Sequence, residues 1–144
     1  MAQLSGFAIS HHDEKDEEMP LARIEIPVGK SPEFKQVIGS IVYEALVEVL
    51  GAPKDDRFQI ISEHSQDSLI MDPTYLGIER SSDALIIQIT LNEGRATDLK
   101  KAFYQRVADD LHSRAGMRRE DVFINLIEVK RENWSFGNGI AQYA

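Results

Sequence analysis

Two cations in this chain stand where a helix dipole disfavours them. Lys30 and Arg95 each follow a glycine and come just before a helical pattern, and a positive charge at a helix N-terminus costs from a few tenths to about 1 kcal/mol. A cation kept at such a place suits the binding of an anion; the plain alternative is a solvated arginine at a strand end. The common catalytic signatures are absent, with no P-loop, no dinucleotide-binding glycine fingerprint, no nucleophile-elbow serine and no HExxH motif. His11 and His12, beside Asp13, Glu14, Asp16, Glu17 and Glu18, could hold a metal weakly, but a solvated acidic tail accounts for them. No metal site and no cofactor are expected.

The elements that must position these cations are written twice. Residues 20–64 recur at 85–129 without a gap: Gly29 and Gly94, Lys35 and Lys100, Leu46 and Leu111, Gly51 and Gly116, Asp56 and Asp121, Phe58 and Phe123, and Glu63 and Glu128 all lie 65 apart. Each copy opens with a β-rich run, 21–26 in the first and 84–91 in the second. In the first copy Phe34, Val37, Ile38, Ile41, Val42, Ala45, Leu46, Val49 and Leu50 then recur at steps of three and four, which is one apolar helical face. Ser31 and Pro32 suit its start, and Gly51 with Pro53 its stop. Leu99, Phe103, Val107 and Leu111 repeat the pattern more loosely up to Gly116, and further strands are read at 58–64 and 123–129.

A strand, a crossover helix and a strand make a right-handed βαβ unit with parallel strands. Two such units sharing one sheet place both helices on a single face. The other face, lined by Ile24, Ile26, Ile87 and Ile89 or by their neighbours, then needs a cover. A chain this short has no third layer to spare, so subunits are expected to pack their sheets together in a closed ring such as a trimer. Residues 65–83 read as a loop or small hairpin. Gly137-Asn138-Gly139 reads as the turn of a C-terminal hairpin over 134–143.

At 144 residues the chain falls in the one-domain range, with an acidic extension at 1–19 and a domain at 20–144. A net charge of -8 with no Lys/Arg stripe argues against a nucleic-acid partner. No stretch approaches the roughly 20 apolar residues of a membrane span, and the extension lacks the apolar segment of a signal peptide. Without cysteine there is neither a disulfide nor a thiol nucleophile, which fits a reducing compartment, the cytoplasm.

The unit starting at Pro20, with the corner Gly29-Lys30-Ser31, the following helix and residues 53–61, resembles the tautomerase superfamily, as does its echo Asn92-Glu93-Gly94-Arg95. Within that superfamily Asp55-Asp56-Arg57-Phe58-Gln59-Ile60, Leu76-Gly77-Ile78-Glu79-Arg80 and Trp134-Ser135-Phe136-Gly137 look most like the malonate semialdehyde decarboxylase branch. The resemblance implies an α+β fold of duplicated βαβ units in one four-stranded mixed sheet, assembled as a homotrimer. It also implies a catalytic amino-terminal proline matched by Pro20, which follows Met19. Such chemistry needs a free amine, titrating at about 7.7 to 8.0 before its surroundings tune it, because an internal proline nitrogen is an amide with no usable lone pair.

By the same resemblance Arg95 would bind the substrate carboxylate, Asp56 would assist beside the proline, and Trp134 and Phe136 would form an apolar wall that dries the site. Asp121 occupies the place of Asp56 in the second copy, so that an aspartate there also reads as the end of a turn. The family's decarboxylases and haloacrylate dehalogenases carry a second arginine just ahead of the one matched by Arg95. Here that place is Asn92, which can still donate a hydrogen bond, and Arg80 is a possible substitute from the preceding loop. One cation fewer favours keto-enol tautomerisation of a small oxo-carboxylic acid over decarboxylation or hydration. Two alternatives stand: a malonate semialdehyde decarboxylase dependent on Asp56, and an inactive trimeric binding or structural protein if the extension is retained.

Overall fold

The computed structural model describes residues 20–144; the acidic extension, including His11 and His12, lies outside the described residues. Six principal elements follow one another: β1 (Leu21–Pro27), α1 (Pro32–Glu48), β2 (Phe58–His64), β3 (Leu85–Asn92), α2 (Thr97–Ala115) and β4 (Val122–Val129). The strands form one sheet in the order β2-β1-β3-β4, with β1 parallel to β2, β3 parallel to β4, and β1 antiparallel to β3. The sheet is mixed, as expected, because each βαβ unit is internally parallel and the two units meet head to head.

The duplication is visible in the register. Leu21 lies opposite Phe58 in one unit, and their counterparts Ile86 and Phe123 lie opposite each other in the second. Across the central antiparallel pair Arg23 faces Gln88, its own counterpart, so a pseudo-two-fold axis passes through that pair. Helix ends repeat too. Past Gly51 (φ +78°) the Ala52 N–H reaches the Leu46 carbonyl at 3.0 Å, and past Gly116 (φ +69°) the Met117 N–H reaches the Leu111 carbonyl at 3.1 Å. Both turns use the left-handed conformation that glycine adopts without steric cost. Lys35–Glu63 at 2.8 Å and Lys100–Glu128 at 3.0 Å tie each helix to the strand after it.

The start of α1 follows its sequence signals: Ser31 Oγ accepts the Phe34 N–H at 3.0 Å, and Pro32 is the first helical residue. Both helices cover the face carrying Ala22, Ile24, Ile26, Leu85, Ile87, Ile89 and Leu91, against which pack Ile38, Ile41, Val42, Leu46, Phe103, Val107 and Leu111. Each buried aliphatic or aromatic side chain contributes roughly 1.5 to 3 kcal/mol. Leu99, read as part of the apolar stripe of α2, is instead 43% exposed, because the first turn of that helix lies beyond the core. Arg106–Glu48 and Arg114–Glu44, both 2.7 Å, join the outer sides of the two helices.

Strand alternation turns the neighbours of Ile24 and Ile87 to the opposite face. Its flanks carry Phe58 and Ile60 on β2 and Phe123 and Ile127 on β4, all exposed. Its middle is polar, with a Gln88–Asn125 hydrogen bond of 2.9 Å and a His64–Glu25 contact of 2.5 Å. The two outer edges differ. Beneath α1, Gln59 donates to the Gly39 carbonyl at 2.8 Å, and Arg57 lies over the Tyr43 ring at 4.9 Å and donates to Gln59. A β-carbon at Gly39 would sit 2.8 Å from Gln59 Oε1. The counterpart of Gly39 is Tyr104, and beneath α2 a groove of about 530 Å³ runs along β4, lined by Lys101, Tyr104, Gln105, Ala108, Val122 and Ile124.

Two connections needed the structure. Residues 65–84 form a loop around a short 3₁₀ turn, Tyr75–Gly77, not a hairpin. The hairpin expected over 134–143 is absent: a 3₁₀ turn, Arg131–Asn133, is followed by irregular chain with no strand. Successive positive φ values at Gly137, Asn138 and Gly139 curl the backbone further than a two-residue turn does. The Gln142 side chain then takes over the cross-chain bonding, accepting the Phe136 N–H and donating to the Gly137 carbonyl, both at 3.0 Å.

Candidate active site

Antiparallel pairing of β1 with β3 brings the start of one to the end of the other. Leu21 pairs with Thr90 and with Phe58, while Asn92 pairs with Val129. One end of the sheet therefore gathers Pro20, the turn carrying Asp56, the Asn92–Arg95 corner and the chain leaving β4 toward Trp134. There Pro20, Leu21, Phe58, Trp134, Ser135 and Phe136 enclose a cleft of about 320 Å³. Pro20 is buried. Trp134 stacks on Phe136 with centroids 5.4 Å apart and planes 11° from parallel, and Phe136 leans on Phe58 at 6.5 Å and meets the edge of Tyr143 at 5.8 Å. Four aromatic rings thus form one continuous wall.

Arg95 immediately precedes Ala96, the N-cap of α2, where the sequence put it. Its Nε donates to the Leu50 carbonyl at 3.3 Å and its Nη1 to the Asn92 carbonyl at 2.8 Å. Leu50 lies just beyond the end of α1, so the negative end of one helix dipole offsets the positive end of the other. Burial lowers the Arg95 pKa from its ordinary value, opposed by the charge of Glu128. Asn92 is only 3% exposed, and its Oδ1 accepts the Trp134 indole N–H at 2.7 Å. Asp56 is also buried. Its counterpart Asp121 accepts the Ser81 N–H at 2.7 Å and the Ser81 hydroxyl at 2.6 Å, and so ties down the chain entering β3.

Arg80 does not join this group within one chain. Its Nη1 donates to the carbonyls of Asp72, Tyr75 and Ile78, fastening its own loop. It lines a hollow with Ile86, five strand residues or about 16 Å along β3 from the level of Pro20. Lys30, the counterpart of Arg95, sits at the far corner in a 2.7 Å ion pair with Asp83 and 5.3 Å above the Phe34 ring. Sequence reasoning missed Leu21 and Phe58 as walls of the cleft and Leu50 as an acceptor for Arg95. Phe58 was legible as the apolar start of a strand; the reach of Arg95 to Leu50 spans 45 residues and leaves no local signal. Among the described residues no group of three or more His, Cys, Asp or Glu is placed to hold a metal ion, and no helix is long and apolar enough to cross a membrane.

Two family models described as tautomerase enzyme match the chain, one over residues 20–78 and one over 56–137. The probable tautomerase YusQ of Bacillus subtilis (strain 168) is 39% identical over 124 residues, covering 86% of this chain and 98% of that protein. Among solved structures, FG41 malonate semialdehyde decarboxylase inhibited by 3-bromopropiolate superimposes with a TM-score of 0.79 at 36% identity, over 85% of this chain and 93% of that one. A fused 4-OT described as a symmetric trimer gives 0.70 at 22% identity, over 83% and 94%, and shares the fold.

Proposed function

This chain belongs to the tautomerase superfamily, and we propose that it is a cofactor-independent enzyme that moves a proton beside the carbonyl of a small oxo-carboxylic acid, with the Pro20 amine as acid and base. The observation that carries this reading is the cleft itself, in which Pro20 is buried between Phe58 and the stacked Trp134 and Phe136. The family match beginning at residue 20 supports it.

The Pro20 nitrogen takes a proton from the carbon next to the carbonyl. A carbon–carbon double bond forms as the protonated amine hands that same proton to the carbonyl oxygen, and the reverse sequence returns the keto form. Arg95 anchors the carboxylate through a planar fork already oriented by the Asn92 and Leu50 carbonyls. Trp134 and Phe136 keep water away, which strengthens each charge interaction inside. The amine exists only in a chain that starts at Pro20. In a chain that starts there, Pro20→Ala is expected to lower kcat/KM on 2-oxo acids by roughly 10² to 10⁴. Turnover within threefold of the parent would sink the proline mechanism. Intact mass of protein from its native source is the companion measurement: a mass beginning near Met1 leaves the nitrogen an amide and turns the reading to a binding or structural protein.

A second reading, decarboxylation of malonate semialdehyde, is favoured by the 36% identity to a decarboxylase and by the burial of Asp56 at the same end of the sheet. It requires that Asp56→Asn abolish carbon dioxide release from that substrate. Self-association as a trimer completes the proposal. The exposed Phe58, Ile60, Phe123 and Ile127 supply apolar surface for it, and a fused 4-OT of the same fold is a trimer.

A further inference from the structure

We infer that Asn92 is a positioning residue that sets the aromatic wall and the arginine in one fixed relation, and that it acts on substrate through them. The inference builds on the reading of the Pro20 cleft as the substrate site. Asn92 is the last residue of β3, held in the sheet opposite Val129, and almost wholly buried. Its backbone carbonyl receives Arg95 Nη1 at 2.8 Å and its side-chain oxygen receives Trp134 Nε1 at 2.7 Å. An indole nitrogen only donates, so the atom facing it must be the amide oxygen whatever way an amide is built.

Each contact fixes what the other leaves loose. Stacking on Phe136 sets the plane of the Trp134 ring at 11° but allows it to slide and turn within that plane. The hydrogen bond to Asn92 removes this freedom, because it demands one direction from one ring atom. The chain from Arg131 to Ala144 contains no strand, so Trp134, Phe136 and Tyr143, unlike Phe58 at the start of β2, sit in no ladder. Phe58 meets Phe136 from the sheet, and the buried amide of Asn92 fixes Trp134 directly, from a residue that also orients the arginine. The distance between carboxylate anchor and apolar wall is thereby fixed, and with it the length and shape of the acid that fits.

Trp134 is the chain's single tryptophan, so its indole can be read without interference. Asn92→Leu removes the acceptor at nearly constant volume, and Asn92→Asp keeps an acceptor. In the leucine variant hydrogen exchange at the indole N–H is expected to speed at least tenfold and the emission to shift to the red, while the aspartate variant keeps the parent's exchange and emission. On turnover, the leucine variant is expected to raise KM for phenylpyruvate at least tenfold and KM for pyruvate less than threefold, with kcat little changed. If the leucine variant does not fold, Asn92→Ser, too short to reach the ring, takes its place with the same expectations. Unchanged indole exchange and emission in a folded leucine or serine variant would overturn the inference, as would equal rises in KM for both acids. Should no oxo acid be turned over by any form, the proposed reaction fails while the indole measurements still decide the role of Asn92.

Discussion

The two ends of the sheet are made from the same unit, yet they treat their cations differently. At one end Lys30 is met by the carboxylate of Asp83 at 2.7 Å, and the chain around it is tied down by Asp121 and Ser81, leaving a hollow of about 100 Å³. At the other end Arg95 is oriented by two backbone carbonyls, and the same end of the sheet holds a cleft of about 320 Å³ walled by aromatic rings. The counterpart of Asn92 is Pro27, which has no side-chain acceptor to offer. Duplication supplied two equivalent corners. A carboxylate closed one, and an amide and an added C-terminal segment shaped the other into an aromatic cleft.

The largest effect should separate the two cations. Arg95→Met is expected to lower kcat/KM on 2-oxo acids roughly ten- to a hundredfold, the worth of a charge-assisted hydrogen bond of about 1.5 to 3 kcal/mol. Lys30→Met should stay within twofold of the parent, and equal losses in the two variants would break the comparison. Next come the paired aspartates. Removing the Asp121 acceptor as Asp121→Ala should cost roughly 1 to 3 kcal/mol in urea unfolding, since it orphans the Ser81 N–H, with activity per folded molecule retained. Asp56→Asn should show chiefly in turnover; a loss confined to stability would make both aspartates structural.

The smallest effect lies between the repeats. A hydrogen bond from Arg114 holds the Glu44 carboxyl below its ordinary value of 4.5. A depressed carboxylate pKa stabilises the fold above the unfolded value and loses that contribution as pH falls through the folded one. Acid unfolding below about pH 4.5 should therefore be slightly flatter in Glu44→Gln. Because the pair is about a third exposed, the difference should be a few tenths of a kcal/mol and should shrink with added salt.

What the sequence disclosed follows from what repeats or alternates. The constant spacing of 65, the apolar faces of both helices and the caps at Ser31, Gly51 and Gly116 are local or periodic, and the four strands appeared where those patterns placed them. The same patterns put Pro20 and Arg95 in different copies, and antiparallel pairing brought the two copies' opposite ends together. Contacts between distant single residues were not legible. Trp134 with Asn92 spans 42 residues and Lys30 with Asp83 spans 53, and neither belongs to a period. The C-terminal segment misled because Gly137-Asn138-Gly139 is a good turn signal, whereas the side chain of Gln142 does the pairing that a second strand would have done.

The unlike edges of the sheet bear on how copies of this chain can meet. Beneath α1 the edge is plugged by Gln59 and Arg57 over a glycine; beneath α2 it lies open beside Tyr104. A two-fold axis joins like with like, but an open edge set against a plugged one makes a head-to-tail contact. Contacts of that kind either close on themselves or run on as a fibre. The residue pair Gly39 and Tyr104, one in each copy, thus makes the two edges unlike and favours a head-to-tail contact over a two-fold one.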